Sequence, residues 1–135
     1  MPFRLLRIKP SLALMSDVQF SRRGSLGHIL LNRPHAINAL THEMVNAITA
    51  TLADWALDET VATVAISGAG ERGLCAGGDV TQIYESARIG GASVARFWAD
   101  EYALNLAISR YPKPYVAIMD GIVLGGGVGI SAHGS

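Results

Sequence analysis

The sequence contains one cysteine and no long uninterrupted hydrophobic run, and each shortage excludes a class of protein. Because Cys75 is the only cysteine, an internal disulfide and a multi-cysteine metal site are both excluded, which favours a reducing, cytoplasmic location. The longest apolar candidate, YVAIMDGIVLGGGVGISA, is interrupted by Asp120 and by a cluster of glycines. It falls short of the roughly 18 uninterrupted apolar residues of a membrane helix, so we expect no membrane association.

Charged residues are also few, at 16% of the sequence, whereas hydrophobic residues make up 50%. Disordered chains have the opposite balance, so this composition predicts a folded globular protein. Eleven basic and eleven acidic residues give a formal net charge of zero, which gives no indication of a nucleic-acid partner. The 135 residues suit a single domain with a core of its own.

Residues 1–16, MPFRLLRIKPSLALMS, differ from the rest because they contain three basic residues and no acidic one. We interpret them as a leader that is either mobile or placed upstream of the true start at Met15. A targeting peptide is the alternative, although the apolar part is short and lacks a small-residue cleavage pattern. No linker or low-complexity tract divides the remainder, so residues 17–135 are predicted to form one domain.

The residues from 17 to 67 predict a first unit of strands and a helix. Two short strands flank a turn at residues 23–25. Their alternating positions are Val18, Phe20, Leu26, His28 and Leu30. Thr41 is expected to cap a helix that has Glu43 in its first turn, and the run VATVAIS predicts a buried strand after it. The apolar face of this helix comprises Met44, Ile48, Leu52 and Trp55.

A second unit repeats this order. A helix is predicted from about Ala92 to Arg110, and YVAIMD predicts the strand that follows it. The apolar positions of the helix are Val94, Phe97, Trp98, Leu104 and Ile108. Strands that alternate with helices predict an α/β layered fold.

Each buried strand runs into a cluster of glycines. The segment GAGERGLCAGGD has five glycines in twelve residues, and Gly125–Gly127 form the second cluster. The first segment matches the dinucleotide fingerprint only formally, because Gly77 and Gly78 would interrupt the helix that must follow it. We instead expect that helix to begin at Asp79, a good N-cap residue. Backbone N–H groups from the two clusters could converge on one oxygen that gains negative charge, as in an oxyanion hole. The alternative is that the glycines only permit tight turns and close packing.

The motifs NRPHAINAL, GLCAGGD and KPYVAIMDGIVLGGGVGIS follow one another in the order typical of one family. With them, the sequence resembles the enoyl-CoA hydratase/isomerase (crotonase) superfamily. The segments FWADEYALN and SAHGS are most similar to its 3-hydroxyisobutyryl-CoA hydrolase branch. The resemblance implies an α/β spiral of repeated ββα units, incomplete at the C-terminus. It also implies an acyl-CoA substrate whose coenzyme A is part of that substrate, no other cofactor, no metal, and a homo-oligomer for the full-length form.

The resemblance also implies roles for individual residues. The two oxyanion-hole amides fall on Gly78 and Gly126. The substrate-binding positions fall on Glu101, Ala36, Ala76 and Asp79. Glu101 could equally be an exposed helix carboxylate.

One departure separates the branches of the superfamily. Hydratases have a catalytic glutamate three residues after the second oxyanion glycine, and here that position is Gly129, which has no acid or base. The hydrolase branch has its catalytic glutamate and aspartate beyond SAHGS, which the resemblance places after residue 135. The favoured function is therefore acyl-CoA thioester hydrolysis of the kind used in valine catabolism. The alternatives are a hydratase or isomerase of the family, and an inactive fragment that only binds.

Three other residues are candidates for chemistry. HEMVN, at His42, nearly matches a zinc motif but has an asparagine in place of the second histidine. Cys75 is a candidate reactive thiol, although a small buried side chain is the favoured interpretation. His35 could contact a CoA phosphate together with Arg33, or lie in a surface loop.

Overall fold

A four-stranded sheet with helices packed beside it is the architecture of the computed structural model, which describes residues 16–135. The predicted leader, apart from Ser16, lies outside the described residues. The strands are β1 (Val18–Arg23), β2 (Leu26–Leu31), β3 (Thr63–Gly68) and β4 (Tyr115–Ala117), adjacent in that order. β1 and β2 are antiparallel, and β2, β3 and β4 are parallel. The helices are α1 (His42–Leu57), α2 (Val80–Arg88), α3 (Ala92–Ser109) and α4 (Gly126–Gly129). The predicted α/β class is therefore confirmed.

The β1–β2 hairpin turns at Gly24, whose φ of 58° suits glycine. Ile29 and Leu31 are fully buried on one face of β2. The residues that sequence alternation singled out on the other face of β2 are only half-buried: Leu26, His28 and Leu30. The reason is that α1 packs on the first face, where a Cβ atom at Gly27 would lie 2.6 Å from the Trp55 ring.

Helix α1 begins where the sequence predicts. The Thr41 hydroxyl accepts a hydrogen bond from the Met44 amide at 3.2 Å, which satisfies one of the free N–H groups of the first turn. The predicted apolar face is buried, from Met44 through Trp55. Trp55 also makes an edge-to-face contact with Phe20, with ring centroids 6.2 Å apart. This helix forms one side of the core.

Helix α3 has nearly the predicted bounds but a different buried face. Trp98 is 46% exposed, whereas Glu101 is only 7% exposed. The buried residues of α3 are Val94, Phe97, Glu101, Leu104 and Ile108. Their spacings of three and four residues define one helical face, and Trp98 lies outside it.

Strand β4 is shorter than the predicted YVAIMD. Ile118 still donates a backbone hydrogen bond to Ile66 at 2.9 Å, but the chain then leaves β3. It pairs instead with the first glycine segment, where the Leu74 amide donates to Asp120 at 2.8 Å and the Ile122 amide donates to Arg72 at 3.0 Å. The two predicted glycine clusters are brought together in this way.

Candidate active site

Asn38 fastens the NRPHAINAL segment to the first glycine segment. It is fully buried and has a φ of 55°. Its Oδ1 accepts a hydrogen bond from the Arg33 amide at 2.9 Å. Its Nδ2 donates to the carbonyl oxygens of Ala69 at 3.0 Å and Gly73 at 3.1 Å. One side chain therefore fixes two loops that border the site.

Asp79 caps α2 as predicted and also forms an ion pair. Its Oδ1 accepts from the amides of Thr81 at 2.9 Å and Gln82 at 3.1 Å, and its Oδ2 lies 2.8 Å from Arg33. Burial opposes the charge of Asp79, but these donors and the guanidinium together lower its pKa below the ordinary value. Arg33 also donates to the Ala39 carbonyl at 2.6 Å, so its guanidinium links the NRPHAINAL segment to the start of α2. His35 is exposed, as expected of a surface loop.

The two glycine segments contact each other directly. A Cβ atom at Gly77 would lie 3.6 Å from the Gly126 nitrogen. Leu40 lies between the segments: its amide donates to Gly77 at 2.7 Å, its carbonyl accepts from Asp79 at 2.8 Å, and its Cδ1 would lie 3.4 Å from a Cβ at Gly126. Within residues 16–135, the N–H groups of Gly78 and Gly126 have no hydrogen-bond acceptor. Both are therefore available as donors to a ligand.

Glu101 lies against the second glycine segment. A Cβ atom at Gly126 would overlap the Glu101 Oε1 atom, so only glycine allows this contact. Burial raises the pKa of Glu101 above its ordinary value, because a low-dielectric environment disfavours the charged form. The interpretation of Glu101 as an exposed helix carboxylate is therefore wrong.

Ala36 and Ala76 occupy neighbouring segments of the same region. The Ala76 amide donates to the Ile37 carbonyl at 2.9 Å, and the Ala36 carbonyl accepts from Ala39 at 3.1 Å. Both alanines are half-buried. The structure thus brings the predicted site residues into one region around Leu40.

A cavity of about 380 Å³ lies beside these residues, between the start of α1, α2 and α3. Neither Gly78 nor Gly126 lines it. Phe97 and Ile83 do line it, and they would lie 3.2 Å and 3.5 Å from a Cβ at Gly78. The cavity is therefore next to the first oxyanion candidate, but it is not a pocket shared by both glycines.

Two residue pairs near the site were missed by sequence reasoning. His42 Nε2 lies 2.6 Å from Asp100 Oδ2, at the edge of the cavity. Asn105 lies over Gly129, where a Cβ atom would be 2.8 Å from Asn105 Oδ1. The only sequence signal for Asn105 is its spacing of four residues from Glu101, which places both on neighbouring turns of α3.

Cys75 is buried and unreactive by its surroundings. Burial raises the pKa of its thiol to about 11, which keeps it protonated at neutral pH.

No three His, Cys, Asp or Glu side chains come together as possible metal ligands in the part of the chain that the structure describes. Over the same residues, no helix is both long and apolar enough to cross a membrane.

The sequence model of the enoyl-CoA hydratase/isomerase family matches residues 26–135. The chain belongs to this family. Among curated relatives, the mitochondrial 3-hydroxyisobutyryl-CoA hydrolase of Danio rerio is 47% identical over 119 residues, which are 88% of this chain and 31% of the relative. The Homo sapiens protein of the same name is 40% identical over 129 residues, which are 96% of this chain and 33% of the relative. The chain therefore spans about a third of the length of these curated family members.

Solved structures of the family have the same fold. A carnitinyl-CoA dehydratase from Mycobacterium thermoresistibile is 60% identical with a TM-score of 0.87, covering 88% of this chain and 35% of that one. An enoyl-CoA hydratase from Rhodobacter sphaeroides 2.4.1 is 41% identical with a TM-score of 0.84, covering 88% of this chain and 36% of that one. The crotonase resemblance is confirmed. The names of the curated relatives are mitochondrial, which does not fit the predicted cytoplasmic location. The prediction was too specific because a single cysteine indicates a reducing environment without specifying the compartment.

Replacing Glu101 by glutamine is expected to raise the thermal unfolding temperature at neutral pH. The raised pKa means that the folded state binds a proton more tightly than the unfolded state. The carboxyl therefore contributes stability below about pH 4, and this stability is lost as the pH rises through the folded-state pKa. The gain of Glu101→Gln over wild type should be largest at neutral pH and vanish in acid.

Glu43→Gln is the matched control for Glu101→Gln. Hydrogen bonds from its own backbone amide and from the Gln82 side chain lower the pKa of Glu43, so its substitution should change stability in the opposite direction. Unfolding temperatures of the three proteins, measured from pH 4 to 8, test both signs. An unfolding temperature of Glu101→Gln that stays equal to wild type throughout would contradict the desolvation of Glu101.

Proposed function

We propose that this chain forms the thioester-binding part of an acyl-CoA hydrolase that acts on short 3-hydroxyacyl-CoA esters. The observation that carries the proposal is the contact between the two glycine segments: the N–H groups of Gly78 and Gly126 have no acceptor within residues 16–135, and the Glu101 carboxylate lies against Gly126. Two such donors can stabilise the oxygen of a thioester as it becomes negative. The names of the curated relatives supply the reaction and the acyl group.

The proposal gives each site residue a role. Gly78 and Gly126 bind the thioester oxygen, and Glu101 contacts the acyl group. Ala36 and Ala76 line the coenzyme A path, where their small side chains leave room. Asp79 acts by holding the start of α2, and with it the Gly78 amide, because its carboxylate is already engaged by that helix and by Arg33.

Hydrolysis is preferred to hydration because of the residue at 129. The two-glutamate route needs a carboxylate there, and Gly129 supplies none. The space in front of Gly129 is filled by the Asn105 carboxamide, which is neither an acid nor a base at neutral pH. This observation weighs against a hydratase function, although the solved neighbours are a hydratase and a dehydratase by name.

The remaining elements of the proposal follow from the substrate. Coenzyme A enters as part of the ester, so no separate cofactor is invoked. The full-length form is proposed to be a homo-oligomer, with valine catabolism as its pathway. The mitochondrial relatives favour a mitochondrial location over the cytoplasm. A binding role without turnover is the competing proposal for the 135 residues alone, since the resemblance places the catalytic carboxylates after them.

The experiment compares two reactions of the protein expressed from its whole reading frame. Hydrolysis of 3-hydroxyisobutyryl-CoA is followed by thiol release, and hydration of a 2-enoyl-CoA by loss of the conjugated thioester absorbance. We expect hydrolysis to be faster, because no glutamate at 129 can activate water for addition. Equal or faster hydration would contradict the proposal. Residues 1–135 alone should bind the ester with little or no turnover.

A further inference from the structure

The Asn105 carboxamide has an unmet hydrogen-bonding requirement. Its Oδ1 is the one buried side-chain oxygen or nitrogen without a hydrogen-bond partner in residues 16–135. Buried polar atoms are nearly always paired, and an unpaired one costs free energy. The residue as a whole is half-buried, so the buried oxygen belongs to a side chain near the surface. Such an atom is a candidate partner for a water molecule or for a polar group of a ligand.

The position of Asn105 favours a ligand. Asn105 follows Glu101 by one turn of α3, and the glycines that they face, Gly129 and Gly126, are one turn apart on α4. A Cβ atom at Gly129 would overlap Asn105 Nδ2, and it would lie 2.8 Å from Oδ1 and 2.9 Å from Cγ of the same carboxamide. The carboxamide therefore lies one helical turn beyond Gly126, against the position where the resemblance places the hydratases' acid–base glutamate, which acts on the acyl group.

The chemistry of a carboxamide selects the group that it would bind. An amide oxygen accepts a hydrogen bond, the amide nitrogen donates two, and a half-turn about χ2 exchanges their places. An alcohol hydroxyl both donates and accepts, so it can satisfy either end, whereas an alkyl group satisfies neither. We propose that Asn105 is a specificity residue that binds the hydroxyl of a 3-hydroxyacyl thioester held at Gly78 and Gly126. This assignment rests on the proposed function.

The test compares two esters that differ only in the hydroxyl. Binding of 3-hydroxyisobutyryl-CoA and of isobutyryl-CoA is measured by titration calorimetry with the 135-residue chain. Wild type should bind the hydroxy ester roughly tenfold more tightly, because an ester without the hydroxyl leaves the buried Asn105 oxygen unpaired. Asn105→Leu, which has a similar shape but no polar atom, should bring this ratio to about one. Its affinity for isobutyryl-CoA should stay within about threefold of wild type.

Two further variants separate recognition from folding. Asn105→Asp keeps the shape and an acceptor oxygen, so it should keep the preference for the hydroxy ester. Asn46→Leu changes an exposed asparagine on α1 and should leave the ratio unchanged. Thermal unfolding is measured for each variant. If Asn105→Leu does not unfold cooperatively, Asn105→Ala replaces it.

The outcomes are distinct. A preference retained by the apolar variant overturns the assignment, and so does an equal loss of affinity for both esters. Equal binding of the two esters by wild type contradicts the role of Asn105 alone. A wild-type chain that binds neither ester contradicts the proposed function itself.

Discussion

Replacing Asn38 by alanine is expected to lower the free energy of unfolding by about 3 kcal/mol. The substitution removes three hydrogen bonds at a fully buried residue and leaves the Arg33 amide and the carbonyls of Ala69 and Gly73 without this partner. A buried group that loses its partner costs roughly 1 to 3 kcal/mol. The φ of 55° adds to the loss, because alanine tolerates this region less well than asparagine. Urea unfolding of both proteins gives the difference.

Asn38→Gly separates the two contributions to this loss. Glycine adopts a φ of 55° freely, so this variant loses the hydrogen bonds without added backbone strain. It should still be destabilised by more than 1 kcal/mol, an order-of-magnitude value for one unpaired buried group. Asn46→Ala is the exposed control on α1 and should change stability by less than about 0.5 kcal/mol. A similar small effect at Asn38 would show that its hydrogen bonds contribute little.

The second large effect is expected at Gly126 and concerns activity. A methyl group at this position would overlap the Glu101 Oε1 atom and lie 3.4 Å from Leu40 Cδ1. The Glu101 carboxylate is the end of a flexible side chain, so it can move aside at a small cost in stability. It then leaves its place beside the Gly126 amide. Alanine keeps the backbone N–H, so the expected loss comes from the misplaced Glu101 side chain: in the protein from the whole reading frame, Gly126→Ala should lower kcat for 3-hydroxyisobutyryl-CoA roughly 100-fold, as a misplacement of about 1 Å near the reacting atoms can do.

Gly24→Ala is the control for this substitution. Gly24 lies in the hairpin turn with a φ of 58°, and a Cβ atom there would meet nothing within 4 Å. Its replacement should cost some stability through backbone strain but leave kcat unchanged. If Gly126→Ala also retains wild-type kcat while unfolding cooperatively, the contact between Glu101 and Gly126 does not contribute to the reaction.

Local sequence signals predicted the starts of the helices well. Thr41 and Asp79 accept the hydrogen bonds that their residue types favour, and these depend only on residues two or three positions away. The buried face of α3 was harder, because Trp98 is apolar and Glu101 is charged, yet their exposure is reversed. Hydrophobicity predicts how often each residue type is buried. Glu101 is buried because it packs against Gly126, a contact that its residue type does not predict.

In the candidate site, too, some features could be predicted from the sequence and others could not. The glycine clusters were visible in the sequence because glycine is costly to retain without a conformational or packing reason. The contacts of Asn105 with Gly129 and of His42 with Asp100 were not, since each joins residues far apart in the chain. Such contacts depend on how α3 sits against α1 and α4, and no local periodicity encodes that arrangement.

Leu40 has a consequence for how enzymes of this design could diversify. Its backbone forms hydrogen bonds with Gly77 and Asp79, and its side chain packs against Gly126. One apolar residue therefore separates the two segments that carry the donors. A spacer of fixed size sets the separation of the donors independently of the acyl group. On the proposed function, changes along α3 can therefore retune which acyl chain is accepted, while the electrostatic stabilisation at the thioester oxygen stays constant.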